Sequence, residues 1–207
     1  MDDNPWLSAA PVPLEQPSTV AAEVDAAHEL DVSSQVGPPS GPQAPQPFVP
    51  AAPGPALPRH NASGPPALWW MGVHGGAGES TLAALSDGGR AAGGAWPIAG
   101  SGHQHAVVLV ARTHHHGLER ARQAAIEWAG GQPDVRLLGL ALVADAPGRL
   151  PKPLRDLAAL VAGGVPRVWH VPWVEAWRME PAGPHNTPHA VRRLLAQTTA
   201  LFSSSAS

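Results

Sequence analysis

The sequence predicts an α/β domain of three layers, with a short, mostly parallel sheet of about four strands between helices and a disordered arm at its N-terminus. Three observations carry this. Apolar, β-branched runs alternate with helix-period segments from residue 67 onward, the order that builds a parallel sheet with crossover helices. Glycine clusters punctuate that alternation, and the first of them directly follows the first apolar run. Before residue 67 the chain holds fifteen of its 25 prolines, and seven acidic residues against the single basic Arg59.

The arm, residues 1–66, has almost no apolar periodicity and cannot bury enough surface to offset ordering entropy. Residues 67–202 form the domain, and 203–207 a short disordered tail. The domain holds twelve basic against nine acidic residues, far from the clustered basic stripe of a nucleic-acid binder. No cysteine occurs, which excludes disulfides and thiolate metal sites. An acidic start without an apolar core is not a secretory signal, and no apolar run is long enough to cross a membrane, so the cytoplasm is the expected compartment.

Ala67 to Val73 is a continuous apolar run ended by glycine, the pattern of a strand buried on both faces. Ser80 to Leu85 opens a helix that the Asp87-Gly88-Gly89 turn ends. After an irregular stretch from Ala91 to Gln104, Ala106 to Ala111 reads as the clearest strand. Leu118, Ala121, Ala125 and Trp128 then recur at helical spacing. Val135 to Ala144 is a third strand, and Pro151 to Gly163 a helix turning Leu154, Leu157, Ala158 and Val161 inward. Arg167 to Val171 makes a fourth strand. A last helix starts near Thr187 as N-cap with Pro188 in its first turn, and presents Val191, Leu194, Leu195, Leu201 and Phe202.

The segment His74-Gly75-Gly76-Ala77-Gly78-Glu79-Ser80-Thr81 lies between a predicted buried strand and a predicted helix, where a phosphate-binding loop belongs. Glycines let backbone N–H groups turn toward an anion. This loop resembles the deviant Walker A motif of the ParA/MinD-like P-loop ATPases, Lys-Gly-Gly-x-Gly-Lys-Ser/Thr-Thr, with Gly75, Gly76, Gly78, Ser80 and Thr81 matching and Ala77 at the variable position. The resemblance implies a Rossmann-like P-loop domain. It puts Glu79 where that family has the lysine on the β- and γ-phosphates, and His74 where it has the lysine that reaches a partner subunit's nucleotide.

Exchanging a cation for an anion about 5 Å from a phosphate changes the interaction by several kcal/mol at an effective dielectric of about 20. Weak binding of ATP with magnesium, or none, is therefore expected, unless Arg112, Arg149 or Lys152 supplies the missing charge from a neighbouring loop. Roughly twenty residues, mostly Gly and Ala, separate the first helix from the Val107 strand, the length of an ordinary connection. The family pattern places a further strand there, with the acid that handles the attacking water, so no catalytic residue is assigned. Val107 to Thr113 is similar to the strand after Walker B, and Leu138 to Asp145 to the strand whose end approaches the base, which makes Asp145 a base-contacting candidate. The segments Ala146 to Pro153 and Val168 to Arg178 also resemble an uncharacterised family of small actinobacterial proteins.

Among the eleven histidines, His103, His105 and the run His114-His115-His116 invite a metal, since two strand-end loops could bring imidazoles together. A solvated loop at the C-terminal end of a strand outweighs that reading, because adjacent residues cannot all face one ion and no acid lies nearby to orient them, so no metal ligands are assigned. Trp169, Trp173 and Trp177 recur every fourth residue, with core packing favoured over a partner surface. Ser80 lacks the Gly-x-Ser-x-Gly elbow of a hydrolase nucleophile. These readings converge on a degenerate P-loop protein that does not hydrolyse nucleotide and acts as an adaptor or regulator beside a protein partner, such as a ParA-like or secretion-type ATPase. The alternatives are a pure interaction module recruiting its partner through the proline-rich arm, and an active nucleotidase with arginine in place of the loop lysine.

Overall fold

Five parallel strands, in the order β3-β2-β5-β6-β7, form the central sheet of the computed structural model, which describes residues 38–100 and 102–204. They are β2 (Leu68–Gly72), β3 (Arg90–Ala91), β5 (His105–Arg112), β6 (Val135–Val143) and β7 (Val168–Val171). Two further strands, β1 (Arg59–Asn61) and β4 (Trp96–Ile98), pair in parallel as a separate ribbon.

The central strands are apolar throughout because both of their faces are covered. On one face Trp69, Met71, Val107, Leu109 and Ala111 pack with Leu118, Ala121, Ala125 and Trp128 of α2 (His115–Ala129) and with Ala158 and Val161 of α3 (Lys152–Ala162). On the other, Leu68, Trp70, Val108 and Val110 meet Leu82 and Ala83 of α1 (Glu79–Leu85) and Val191 and Leu194 of α5 (His189–Ser203). Each fully buried side chain of this size contributes about 1.5–3 kcal/mol of transfer free energy. The α/β, three-layer, parallel architecture read from the sequence is the one observed.

Three details differ. The stretch from Ala91 to Gln104 is not irregular, since it contains β4 and follows β3, a two-residue edge strand too short for any periodicity. Thr187 does not cap the last helix: its Oγ1 donates to the Gly183 carbonyl, and Pro188 takes the N-cap position. Residues 38–66, read as arm from their prolines, run along the domain instead, while residues 1–37 and 205–207 lie outside the described residues. Ser40 N–H donates to the Pro166 carbonyl and Gln46 N–H to the Ala129 carbonyl, and Leu57 is only 2% exposed. Backbone hydrogen bonds hold this segment, a kind of contact that leaves no hydrophobic pattern in a sequence.

One carboxyl group anchors it. Glu127 of α2, 1% exposed, accepts from Leu57 N–H at 2.9 Å, Trp96 Nε1 at 3.0 Å and Gln123 Nε2 at 3.2 Å. Gln123 Nε2 also donates to the Pro55 carbonyl. In β6, the register shifts by one residue opposite Val107 and Val108. There Gly139 comes so close to Arg167 and the Trp169 ring that no Cβ fits.

The strand order reverses at β2. From β2 the chain crosses by α1 to the β3 edge, then returns to lay β5, β6 and β7 on the other side of β2. In open α/β sheets the crevice at such a reversal, outside the carboxyl ends of the strands, is where ligands bind.

Candidate functional site at the end of the second strand

The glycine loop occupies that crevice. Gly72 ends β2, the loop follows from Val73, and α1 begins at Glu79. Gly76 and Gly78 take left-handed conformations, φ 72° and 104°, which glycine adopts without steric cost. A cavity of about 630 Å³ opens here, lined by the loop residues from Gly72 to Thr81 and by Pro58, Gly93, Gly94, Arg112 and Arg120. All seven loop residues singled out from the sequence, Gly75, Gly76, Ala77, Gly78, Glu79, Ser80 and Thr81, line it.

The Glu79 carboxylate is turned to backbone N–H groups on the wall of this cavity. Its Oε2 accepts from Gly72 N–H at 2.6 Å and Gly94 N–H at 3.1 Å, and its Oε1 accepts from Gly93 N–H at 2.5 Å. Gly93 and Gly94 have φ of 67° and 73°, two successive left-handed residues that aim both N–H groups at the carboxylate. A Cβ on Gly72 would stand 2.8 Å from Glu79 Oε2 and 3.3 Å from Ala77 Cβ, so the close approach needs glycine there too. The repulsion expected of Glu79 is correspondingly weaker than its position in the sequence implies: three donors face the charge.

His74 ties the loop to β5. Its Nε2 accepts from Arg112 N–H at 3.0 Å, and its Nδ1 lies 2.8 Å from the Gly75 carbonyl. This pairing fixes a neutral ring with the proton on Nδ1. Burial holds the His74 pKa below the ordinary 6.5 against the Gly75 carbonyl, which raises it, and electrostatic interaction with His114, His116 and Arg112 pushes it further down. The rings of His114 and His116 lie 4.8 Å and 6.2 Å from that of His74.

The cation candidates separate. Arg112 reaches the loop, with Nε donating to the Gly76 carbonyl at 2.9 Å and Nη1 to the Ala144 carbonyl at 3.4 Å. Lys152 pairs with Asp156 at 2.6 Å on an exposed face of α3. Arg149 lines a second, mostly apolar cavity of about 380 Å³ beside the ends of β5, β6 and β7, together with Asp145, Leu142, Leu154 and His170. Asp145 therefore belongs to the adjoining cleft, where its N–H donates to Thr113 Oγ1 at 3.1 Å. Arg120 of α2, which no motif in the sequence singles out, lines the loop cavity and donates from Nε to the Val73 carbonyl at 3.3 Å. Its place one turn inside a helix that starts at the neighbouring strand end is the signal that could have found it.

The loop's carbonyls are thus taken up inside the protein: His74 holds that of Gly75, Arg112 that of Gly76, and Leu82 N–H that of Gly78. Among the described residues Glu79 is the only carboxylate on the cavity wall, and both of its oxygens are bonded to backbone. This arrangement does not fit a magnesium nucleotide. His103 and His105, whose rings lie 5.1 Å apart, do not meet the His114–His116 run. His105 starts β5, fully buried, with Nδ1 accepting from Ala67 N–H and Nε2 donating to the Ala62 carbonyl. His114 to His116 follow the other end of that strand, on the order of 20 Å away, and among the described residues no group of three His, Cys, Asp or Glu is placed to hold a metal.

The tryptophans do not form a stripe. Trp169 lies in β7 and donates to Gln197 of α5, Trp177 lies in the short α4 (Ala176–Met179), and both pack against the core. Trp173, between them, donates to Glu175 with Arg178 over its ring.

With the loop, its cradle and the sheet in view, residues 66–195 match a family of unknown function, DUF6668. The chain belongs to this family. The DUF6668 match starts just before β2 and ends inside α5, so it takes in the loop, the central sheet and the lining of both cavities except Pro58. No curated protein and no solved structure matches the chain. Among the described residues no helix is long and apolar enough to cross a membrane.

Proposed function

We propose that this DUF6668 protein is a degenerate relative of the ParA/MinD-like P-loop ATPases, binding nucleotide weakly or not at all, hydrolysing none, and acting as an adaptor or regulator through a protein partner. One observation carries the reading: the residue in the lysine position is a glutamate whose carboxylate is bonded to three backbone N–H groups rather than offered to a ligand. A glycine loop at the reversal point of a parallel sheet supports descent from phosphate binders. The fit to hydrolysis is poor, because among the described residues the cavity wall brings no second acid to bind a metal or orient water. Titration calorimetry with Mg-ATP and Mg-GTP should give weak heat or none, with no phosphate released above buffer. Turnover of about 0.1 per second or faster, within reach of phosphoryl-transfer enzymes, would defeat the proposal.

A second reading is favoured by Arg112 alone, which reaches the loop from β5 as a substitute cation. It requires that Arg112→Ala abolish a measurable nucleotide affinity while Arg149→Ala, in the neighbouring cleft, leaves it intact.

A further inference from the structure

A carboxylate held by three converging N–H groups is itself a description of an anion site. The donors come from two places in the chain, the end of β2 at Gly72 and the turn at Gly93 and Gly94, seven, fourteen and fifteen residues from Glu79. They are backbone groups, so they would remain after the side chain is removed, held by the pairing of β2 with β3 and β5. A Cβ at Gly93 would meet nothing within 4 Å, so the cradle is open to one side and lies on the wall of the loop cavity.

We propose that Glu79 is an internal ligand: its carboxylate fills an oxyanion site built from the N–H groups of Gly72, Gly93 and Gly94, and thereby latches the 92–95 turn onto the glycine loop. The site takes a small oxyanion, a carboxylate or one edge of a phosphate, whenever the Glu79 side chain withdraws. In the resting protein the loop is self-liganded, and an incoming anion must displace Glu79 to occupy this position. When it does, the turn that carries Gly93 and Gly94 exchanges an internal tether for an external one. The inference stands apart from the nucleotide reading, because it concerns a cradle beside the loop and needs no nucleotide.

The test is chemical rescue of the full chain. Glu79→Ala should melt below the wild type, and formate or acetate, at constant ionic strength against chloride, should restore it. The expected rise is about 4 °C when the anion is at ten times its dissociation constant. A parallel series with inorganic phosphate tells the two sources of oxyanion apart: rescue by the carboxylates alone marks a site shaped for one carboxylate, and rescue by phosphate as well marks a general oxyanion site, either result upholding the proposal. Wild type should show no anion-specific rise. Equal rises in both proteins would overturn the proposal, as would a folded Glu79→Ala that no oxyanion shifts. Should Glu79→Ala not fold alone, folding induced by formate or acetate supports the proposal. Failure of that induction, with Glu79→Gln showing wild-type amide exchange at Gly93 and Gly94, overturns it.

Discussion

Two glutamates of this protein each collect three N–H donors, and their surroundings give the two clusters different work. Glu127 sits inside, 1% exposed, and joins α2 to the Pro55–Leu57 segment and to Trp96 of β4. Glu79 sits half-buried on a cavity wall and joins the glycine loop to the turn at Gly93 and Gly94. Water cannot replace a buried acceptor but can replace one at a cavity mouth, so the same number of hydrogen bonds makes a permanent anchor in one place and an exchangeable latch in the other. Donor type follows the same division: Glu127 draws on two side chains and one backbone group, Glu79 on backbone alone.

That contrast breaks most readily at its buried end. Glu127→Ala leaves the Leu57 N–H and Trp96 Nε1 buried without an acceptor, a loss of about 3 kcal/mol, read as a lower urea midpoint with unchanged slope. A smaller cost than that of Glu79→Ala would mean that burial is not what separates the clusters. Glu79→Gln retains one acceptor oxygen and the side chain's shape, and should cost about 1 kcal/mol by the same measurement.

A pH series sharpens the comparison at the loop. The folded protein holds the His74 pKa below the ordinary 6.5, so as pH falls below 6.5 the unfolded chain takes up this proton first and stability declines. The decline ends once pH passes the lower, folded-state value, and above 6.5 the contribution is fully present. His74→Gln should flatten that part of the profile, measured as thermal midpoint against pH; an unchanged slope would remove His74 from the account. The smallest effect belongs to the exposed Lys152–Asp156 pair, where Lys152→Ala should shift stability by at most about 0.5 kcal/mol.

Segments that bury side chains were legible in advance. Ala106 to Ala111 read correctly because a strand covered on both faces is apolar without interruption, and the α2 stripe of Leu118, Ala121, Ala125 and Trp128 because one-sided burial of a helix writes a period of 3.6 into the sequence. The strands β1, β3 and β4 were not legible, being two or three residues long and including Arg90, Arg59 and Pro97. Gln123 and Glu127 did leave a trace, a polar pair four residues apart on a helix whose neighbours face inward, but a polar pair on a helix ordinarily marks its solvent side. At the site, every loop residue named from the motif lines the cavity, whereas Asp145 opens on the cleft next to it. Only one of the three candidate cations, Arg112, reaches the loop.

Sequence alone determined the alternation of strand and helix, the position of the glycine loop and the presence of an acid, Glu79, at its end, because these depend on neighbours within one turn or one strand. Only the tertiary structure decided where that acid points. Its partners lie as far as fifteen residues along the chain, and they become donors through the left-handed backbone at Gly93 and Gly94, a conformation that composition permits but packing against the end of β2 selects.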